Sequence, residues 1–336
     1  MRDQLQEPAF MEPNRPDVTG TIRQAILVLG MHRSGTSALA GISHLLGAAA
    51  PAGMMEPEAD NPLGFWESGP ITALNEAIFR VLDCAWCDSL AFDSANIGPT
   101  SRSELAPLLA SVLTQEFGDA ALFVMKDPRF SLVLDLWLPT FVAMNVSVAP
   151  VLALRHPAEV ASSLRRRDDM PIELAAPLWL HYTLEAERLT RGRRRAVLSY
   201  DRMLQDWRGC LARITAEAGI AWRVPLDSAA PAVGEFLRPH MRHHHAAAGK
   251  VVVGRPPLSA WIAETYSALR CIEDGERDAH HARLDRVRTE FAVWRAGTPH
   301  ISMAAAAGRE PITMSNTPAT ASASPATSSG RKVAFS

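Results

Sequence analysis

The sequence is poor in lysine and in net charge. Lys126, Lys250 and Lys332 are the only lysines among 34 basic residues, and 36 acidic residues bring the formal charge to −2. A chain this close to neutrality is neither a general nucleic-acid coat nor a polybasic membrane-surface protein. Any anion-binding site must therefore be local, and the few lysines become informative.

Cysteine and long apolar runs are also scarce. Four cysteines in 336 residues, with no secretory signal at the start, do not describe a disulfide framework and favour a cytoplasmic location. The longest aliphatic runs, such as residues 146–154, fall far short of the roughly 20 residues that a spanning helix needs. The sequence therefore predicts no transmembrane segment.

The composition changes at both ends of the chain. Residues 1–21 lack periodicity and predict a flexible leader, whereas residues 305–336 are rich in Ala, Ser, Thr and Pro and predict a disordered tail. Between them, residues 22–304 alternate short aliphatic runs with longer amphipathic stretches. This pattern predicts one α/β domain with a central parallel sheet that helices cover on both faces.

Four aliphatic runs are the clearest strands of this domain. They cover residues 25–29, 121–125, 147–154 and 195–200. The helical stretches include residues 37–46, 71–82, 132–142, 158–167, 172–191 and 203–217. Because ligands collect at the carboxyl ends of parallel strands, we expect the chemistry directly after the aliphatic runs.

The first aliphatic run leads into a glycine loop, Gly30-Met-His-Arg-Ser-Gly-Thr-Ser37, and then into an apolar helix. Gly30 and Gly35 allow successive backbone N–H groups to approach an anion at the helix N-terminus. The spacing is that of a P-loop and predicts the nucleoside-triphosphate-hydrolase-like fold. A Walker A motif, however, needs a lysine where Thr36 stands, so an ordinary ATPase or GTPase is disfavoured. The positive charge lies instead inside the loop, at Arg33.

The loop resembles that of a known enzyme family. Residues 31–37, Met-His-Arg-Ser-Gly-Thr-Ser, are similar to the 5′-phosphosulfate loop of sulfotransferases that use 3′-phosphoadenosine 5′-phosphosulfate (PAPS), in the arginine-containing form of carbohydrate sulfotransferases. The resemblance covers roughly residues 24–255. It implies transfer of a sulfuryl group from PAPS, as co-substrate and without a metal, to a hydroxyl of a carbohydrate or glycoconjugate. The implied donor-binding residues in the loop are Gly30, Arg33, Ser34, Gly35, Thr36 and Ser37.

Two further segments resemble donor-binding motifs of this family. Arg155 ends the third aliphatic run and stands eight residues before Ser163, which matches the family's 3′-phosphate motif. With Pro157 at the start of a helix, Arg155 and Ser163 could both donate hydrogen bonds to one phosphate. Residues 236–250 resemble the loop that encloses the 3′-phosphate and the adenine, and there Arg242 and Lys250 are the candidates.

The transfer step needs a fixed cation and a general base. Lys126 follows a strand, and the resemblance implies that it acts with Arg33 to stabilise the leaving group. The base is one of Glu67, Asp127 and His32. Glu67 is favoured because Asp60-Asn-Pro-Leu-Gly-Phe-Trp-Glu67 resembles an acceptor-side segment of bacterial sulfotransferases.

Two other functions remain open on the sequence alone. An ATP-dependent P-loop kinase would turn over ATP with magnesium, and a non-catalytic nucleotide-binding interaction module would bind adenosine bisphosphate without turnover. The partner is expected to be a small-molecule or glycan acceptor, not a nucleic acid, while the acceptor's identity and the oligomeric state are not predicted. The arginine-rich stretches at residues 165–167 and 191–195 are interpreted as solvated helix ends, with steering of an anionic donor or acceptor as the alternative.

Overall fold

The computed structural model describes residues 22–58, 61–237, 253–276 and 278–297. The predicted leader and tail lie outside the described residues, and so do two of the proposed donor-binding residues, Arg242 and Lys250.

The centre of the described fold is a parallel sheet. Its strands are β1 (Arg23–Leu29), β2 (Leu122–Lys126), β3 (Val146–Leu154) and β4 (Ala196–Ser199). The order across the sheet is β2-β1-β3-β4, and every neighbouring pair is parallel. Each strand agrees with the sequence prediction to within two residues at either end, so the predicted fold class is confirmed.

Helices occupy the connections between these strands, and further helices follow β4. In chain order the helices are α1 (Thr36–Leu45), α2 (Gly69–Arg80), α3 (Pro99–Phe117), α4 (Phe130–Ala143), α5 (Pro157–Asp168), α6 (Ile172–Thr190), α7 (Tyr200–Gln205), α8 (Trp207–Ala218), α9 (Leu226–Phe236), α10 (Leu258–Glu273) and α11 (Asp278–Gly297). None of the helices in the described ranges is both long and apolar enough to cross a bilayer.

The single helix expected over residues 203–217 is wrong. Two helices are found there, because Asp206 leaves the helical conformation (φ −143°, ψ 71°) and caps α8. Its carboxylate accepts a hydrogen bond from the Gly209 N–H at 2.9 Å. Such a cap satisfies a backbone donor that a continuous helix would bond internally, so the aspartate favours the break.

The sheet buries both of its faces. Along β1, Ala25, Leu27 and Leu29 enter one apolar core, while the alternate residues Ile26 and Val28 enter the other. The first core also contains residues of α4, α6 and α10, and the second contains residues of α1, α8 and α9. A strand buried on both sides reads as a continuous apolar run, which is the pattern seen in the sequence.

The strand order positions the site. From β1 the chain goes to β2 on one side, whereas β3 lies on the other side of β1. This change of direction opens a crevice beyond the carboxyl ends of β1 and β3. Gly30 follows β1, Lys126 ends β2 and Arg155 follows β3, so the candidate residues meet at one edge of the sheet.

Candidate functional site

A cavity of about 390 Å³ lies at this edge of the sheet. The predicted site residues that line it are His32, Arg33, Gly35, Thr36, Ser37, Glu67, Lys126 and Arg155. Gly30, Ser34 and Ser163 are buried beside the loop without lining the cavity. The strand ends therefore bring together most of the described candidates.

The glycine loop presents a helix N-terminus to the cavity. Its backbone is left-handed at Arg33 (φ 67°) and at Gly35 (φ 87°), and α1 then begins at Thr36. The helix has neither a side-chain cap nor an acidic residue in its first turn. Because the first N–H groups of a helix lack intrahelical partners, this end can bind an anion.

Gly30 occupies a position without room for a side chain. Its φ is 132°, and a Cβ atom there would lie 2.5 Å from the carbonyl oxygen of Ala153 in β3. Because that oxygen belongs to a central strand, we expect Gly30→Ala to lower the free energy of unfolding by about 2 to 4 kcal/mol in chemical denaturation. Gly98, with φ −65° and open surroundings, is the control. Equal losses for Gly30→Ala and Gly98→Ala would contradict the prediction.

Arg33 connects the glycine loop to the residues that follow β3. Its Nε donates to Ser163 Oγ at 2.9 Å, and its carbonyl oxygen accepts from Arg155 Nη1 at 3.0 Å. Arg155 also donates through Nε to Glu159 at 2.9 Å and lies over the Tyr200 ring, with 4.8 Å from guanidinium carbon to ring centroid. Arg155 and Ser163 therefore both contact Arg33, and of these two residues only Arg155 lines the cavity.

Glu67 and Lys126 form a buried ion pair at the cavity. Lys126 Nζ donates to Glu67 Oε1, and each residue is 5% exposed. Arg129 Nη1 lies 3.6 Å from the other carboxylate oxygen. Burial raises the pKa of Glu67 above its ordinary value, while the Lys126 ammonium opposes part of that increase. A carboxylate with a raised pKa is a stronger proton acceptor when it is ionised.

Asp127, the second candidate base, is engaged in a structural network. Its carboxylate accepts from Asn75 Nδ2 and from both the backbone N–H and Nη1 of Arg129, each at 2.9 Å. Trp137 Nε1 in turn donates to Asn75 Oδ1 at 2.9 Å. Asp127 is buried and does not line the cavity. Glu67 and His32 are the two candidate bases that do.

His32, the third candidate, is buried beside an aromatic side chain. Its ring centroid lies 4.2 Å from that of Trp86. Burial lowers the pKa of His32 well below its ordinary value, and the nearby cations Arg129 and Arg167 lower it further. The imidazole is therefore neutral and a weak proton acceptor at neutral pH. Its Nε2 is buried and has no hydrogen-bond partner among the described residues.

The interpretation of two arginines as solvated is wrong. Arg167 lines the cavity, with its guanidinium carbon 5.5 Å from the Trp86 ring centroid, whereas the two arginines before it are exposed. Arg195 is buried and pairs with Glu187 at 2.6 Å. Helical phase was the available signal for Arg167, because it stands four residues after Ser163 and so shares its face of α5.

Sequence reasoning also missed Tyr200 and the contact of residues 61–65 with the start of α1. Tyr200 lines the cavity and packs so closely on Gly35 that a Cβ atom at Gly35 would overlap the ring. The Ser37 hydroxyl donates to the Phe65 carbonyl at 3.2 Å, which ties the segment to the start of α1. Both features come from tertiary packing between distant parts of the chain.

Comparison with known proteins gives little beyond this geometry. No family model matches the sequence. No curated protein matches it. Among solved structures, the chain is similar to the sulfotransferase domain of the Synechococcus PCC 7002 olefin synthase, with a TM-score of 0.44 and 20% identity over 79% of this chain and 98% of that one. At this similarity, function has to be argued from the site itself.

The fold and the site together define a class of protein. It is an α/β protein whose first strand runs through a glycine loop into an uncapped helix N-terminus. The cavity at that terminus also contains a buried carboxylate and a buried ammonium group. Such a site can bind an anionic group and has both a proton acceptor and a fixed cation beside it.

Proposed function

We propose that the protein is a PAPS-dependent sulfotransferase that acts on a hydroxyl of a carbohydrate or glycoconjugate and releases adenosine 3′,5′-bisphosphate. The observation that carries the proposal is that one cavity joins the glycine loop, Arg155 and the ion pair of Glu67 with Lys126. The reaction has three requirements that these groups can meet. The enzyme must bind the phosphosulfate, bind the 3′-phosphate, and place a base and a cation at the reacting atoms.

The donor would bind across the loop and the start of α5. Its 5′-phosphosulfate would accept hydrogen bonds from the N–H groups of Gly35, Thr36 and Ser37. Arg155 would pair with the 3′-phosphate, and its bond to the Arg33 carbonyl would couple the two phosphate sites. Ser163 does not line the cavity, but its hydroxyl accepts a hydrogen bond from Arg33 Nε and so helps to hold Arg33 in place.

The transfer step follows from the ion pair. The acceptor oxygen attacks sulfur, the bond between sulfur and the oxygen of the 5′-phosphate breaks, and Glu67 takes the proton of the acceptor hydroxyl. Lys126 and the loop N–H groups stabilise the negative charge that develops on the leaving phosphate oxygen. As in phosphoryl transfer, the protein mainly positions the reacting oxygens and stabilises charge. This scheme gives no role to a metal ion.

An ATP-dependent kinase is less well supported by the same residues. Thr36 stands where a Walker A loop has its lysine. In such a loop the hydroxyl of the next residue holds magnesium, but here the Ser37 hydroxyl donates to the Phe65 carbonyl.

The donor site can be tested by calorimetric titration with adenosine 3′,5′-bisphosphate, AMP and ATP. We expect the wild type to bind the bisphosphate more tightly than AMP, which lacks the 3′-phosphate. Arg155→Ala should weaken bisphosphate binding by about 30- to 150-fold, because a charge-assisted pair with phosphate contributes about 2 to 3 kcal/mol. AMP binding should change less than about threefold, because Arg155 has no 3′-phosphate to bind there.

Arg165→Ala is the matched control, since it removes the same charge from an exposed position on α5. It should leave the bisphosphate affinity unchanged. Equal binding of bisphosphate and AMP by the wild type would overturn the PAPS donor, and magnesium-dependent ATP turnover would favour the kinase. Tight bisphosphate binding without transfer from PAPS to any glycan tested would favour a non-catalytic module.

A further inference from the structure

Arg167 is a cation of the cavity that the donor does not use. Of the described residues that line the cavity, the cations are Arg33, Lys126, Arg155 and Arg167. In the proposed scheme Arg155 pairs with the 3′-phosphate and Lys126 acts at the leaving oxygen, while Arg33 Nε is hydrogen-bonded to Ser163. Asp168 holds Arg167 through its Nε, at 2.8 and 2.9 Å, and its two Nη groups have no partner among the described residues.

Arg167 lies at the far end of α5 from Arg155, the residue proposed to pair with the 3′-phosphate, and one helical turn after Ser163. Arg155 precedes the first turn of α5, and Arg167 lies in its last turn. A helix rises about 1.5 Å per residue, so Pro157, where α5 begins, and Arg167 are roughly 15 Å apart along the helix axis. Arg167 is therefore at the opposite end of α5 from the residue that would grip the donor nucleotide.

The surroundings of Arg167 indicate a polar ligand. Arg167 lies over the Trp86 ring, and that ring packs against His32 with centroids 4.2 Å apart. His32 also lines the cavity, is 7% exposed, and has a buried Nε2 without a partner among the described residues. Buried polar atoms are normally hydrogen-bonded. When Nε2 carries the proton of the neutral imidazole, it is a donor without an acceptor, as are the two Nη groups of Arg167.

Apolar side chains also contribute to the cavity lining. Pro62, Leu63, Phe65 and Pro128 line the cavity. Apolar side chains can pack against the carbon face of a sugar ring, while a guanidinium selects an anionic substituent that presents two acceptor oxygens. The combination fits an acceptor that carries both features.

We infer that Arg167, held over Trp86 and beside His32, binds an acidic substituent of the acceptor, so that the sulfated molecule is an acidic sugar carrying a carboxylate or an existing sulfate ester. This inference rests on the proposed transfer function. It assigns Arg167 to acceptor specificity and the Nε2 of His32 to the same anionic group. The acceptor hydroxyl would then lie between that group and Glu67.

The test compares transfer from PAPS to three disaccharides: one with a hexuronate, its uncharged methyl ester, and one with a sulfate ester. We expect the wild type to have a kcat/KM for the hexuronate at least about 10-fold above that for the ester. Arg167→Gln should lower this ratio by about 10- to 100-fold, as expected for loss of a charge-assisted pair. Arg167→Lys should recover part of it. Whichever acidic disaccharide is preferred identifies carboxylate or sulfate as the substituent.

Arg166→Gln is the control, because it removes the neighbouring exposed charge and should leave the ratio unchanged. Bisphosphate affinity is measured for every variant. An unchanged ratio in Arg167→Gln, a wild type without preference for acidic acceptors, or weakened bisphosphate binding in Arg167→Gln would each overturn the inference while the transferase proposal stands. A wild type that neither binds the bisphosphate nor transfers sulfate would overturn both.

Discussion

Glu67→Gln should lower kcat by about 10³-fold while adenosine 3′,5′-bisphosphate binds with nearly wild-type affinity. Removal of a positioned general base typically costs 10²- to 10⁴-fold, and the amide preserves the shape of the buried side chain. Because Glu67 contacts Lys126 and lies near Arg129, and not in the glycine loop, donor binding should be spared. Single-turnover transfer from labelled PAPS, with parallel calorimetry, measures both quantities.

The pH dependence gives this prediction a second readout. The base must be ionised to accept a proton, and burial raises the pKa of Glu67. Activity should therefore fall as the pH drops through a value above the ordinary pKa of glutamate, and Glu67→Gln should lose this acidic limb.

Glu116→Gln is the matched control for this change. Glu116 is also a buried glutamate, 3% exposed, and accepts a hydrogen bond from the Gly53 N–H away from the cavity. Its amide variant should keep the wild-type kcat and pH profile. Wild-type turnover by Glu67→Gln would show that Glu67 is not the general base and would leave Asp127 and His32 as the candidates.

Lys126→Met should affect both activity and stability. Loss of a fixed donor at the developing charge should lower kcat by about 10²- to 10³-fold. Breaking the pair also leaves Glu67 buried, with the more distant Arg129 as its remaining ion-pair partner among the described residues. We therefore expect the free energy of unfolding, measured by chemical denaturation, to fall by about 3 kcal/mol.

The double variant Lys126→Met with Glu67→Gln separates these two effects. Removing both charges abolishes the unpaired buried carboxylate, so the double variant should be more stable than Lys126→Met alone. Its activity should remain lost, because neither the base nor the cation is present. If the double variant lost as much stability as the two single variants together, the coupling of the pair would be contradicted. Recovered activity in the double variant would contradict the catalytic role of the pair.

Local sequence was sufficient to predict the sheet and the loop. A parallel strand is buried on both faces and must be apolar along its whole length, so runs such as β3 are visible without knowledge of their neighbours. Gly30 and Gly35 are likewise visible because their backbone conformations exclude other residues. The loop, Arg155 and Lys126 follow from these runs, since the carboxyl ends of parallel strands share one edge.

The network around Asp127 illustrates what could not be predicted. In sequence, Asp127 directly follows the candidate cation Lys126, whereas Glu67 is favoured only by the resemblance of its segment, and neither feature shows which carboxylate has free oxygens. The difference arises because Asn75 of α2 and Arg129 satisfy the oxygens of Asp127, while Glu67 faces the cavity. These contacts depend on how α2 packs beside β2.

The sequence by itself determined the fold class, the phosphate-type loop and the order of the charged residues after each strand, because those depend on apolar runs and backbone freedom. Only the tertiary structure decided which charges face the cavity. Arg167 looked like a solvated helix end, yet Trp86 from another part of the chain contacts it there. Burial and hydrogen-bond partners are properties of the packed chain. They distinguish the cavity-lining residues Glu67 and Arg167 from Asp127 and Arg195, which are buried away from the cavity.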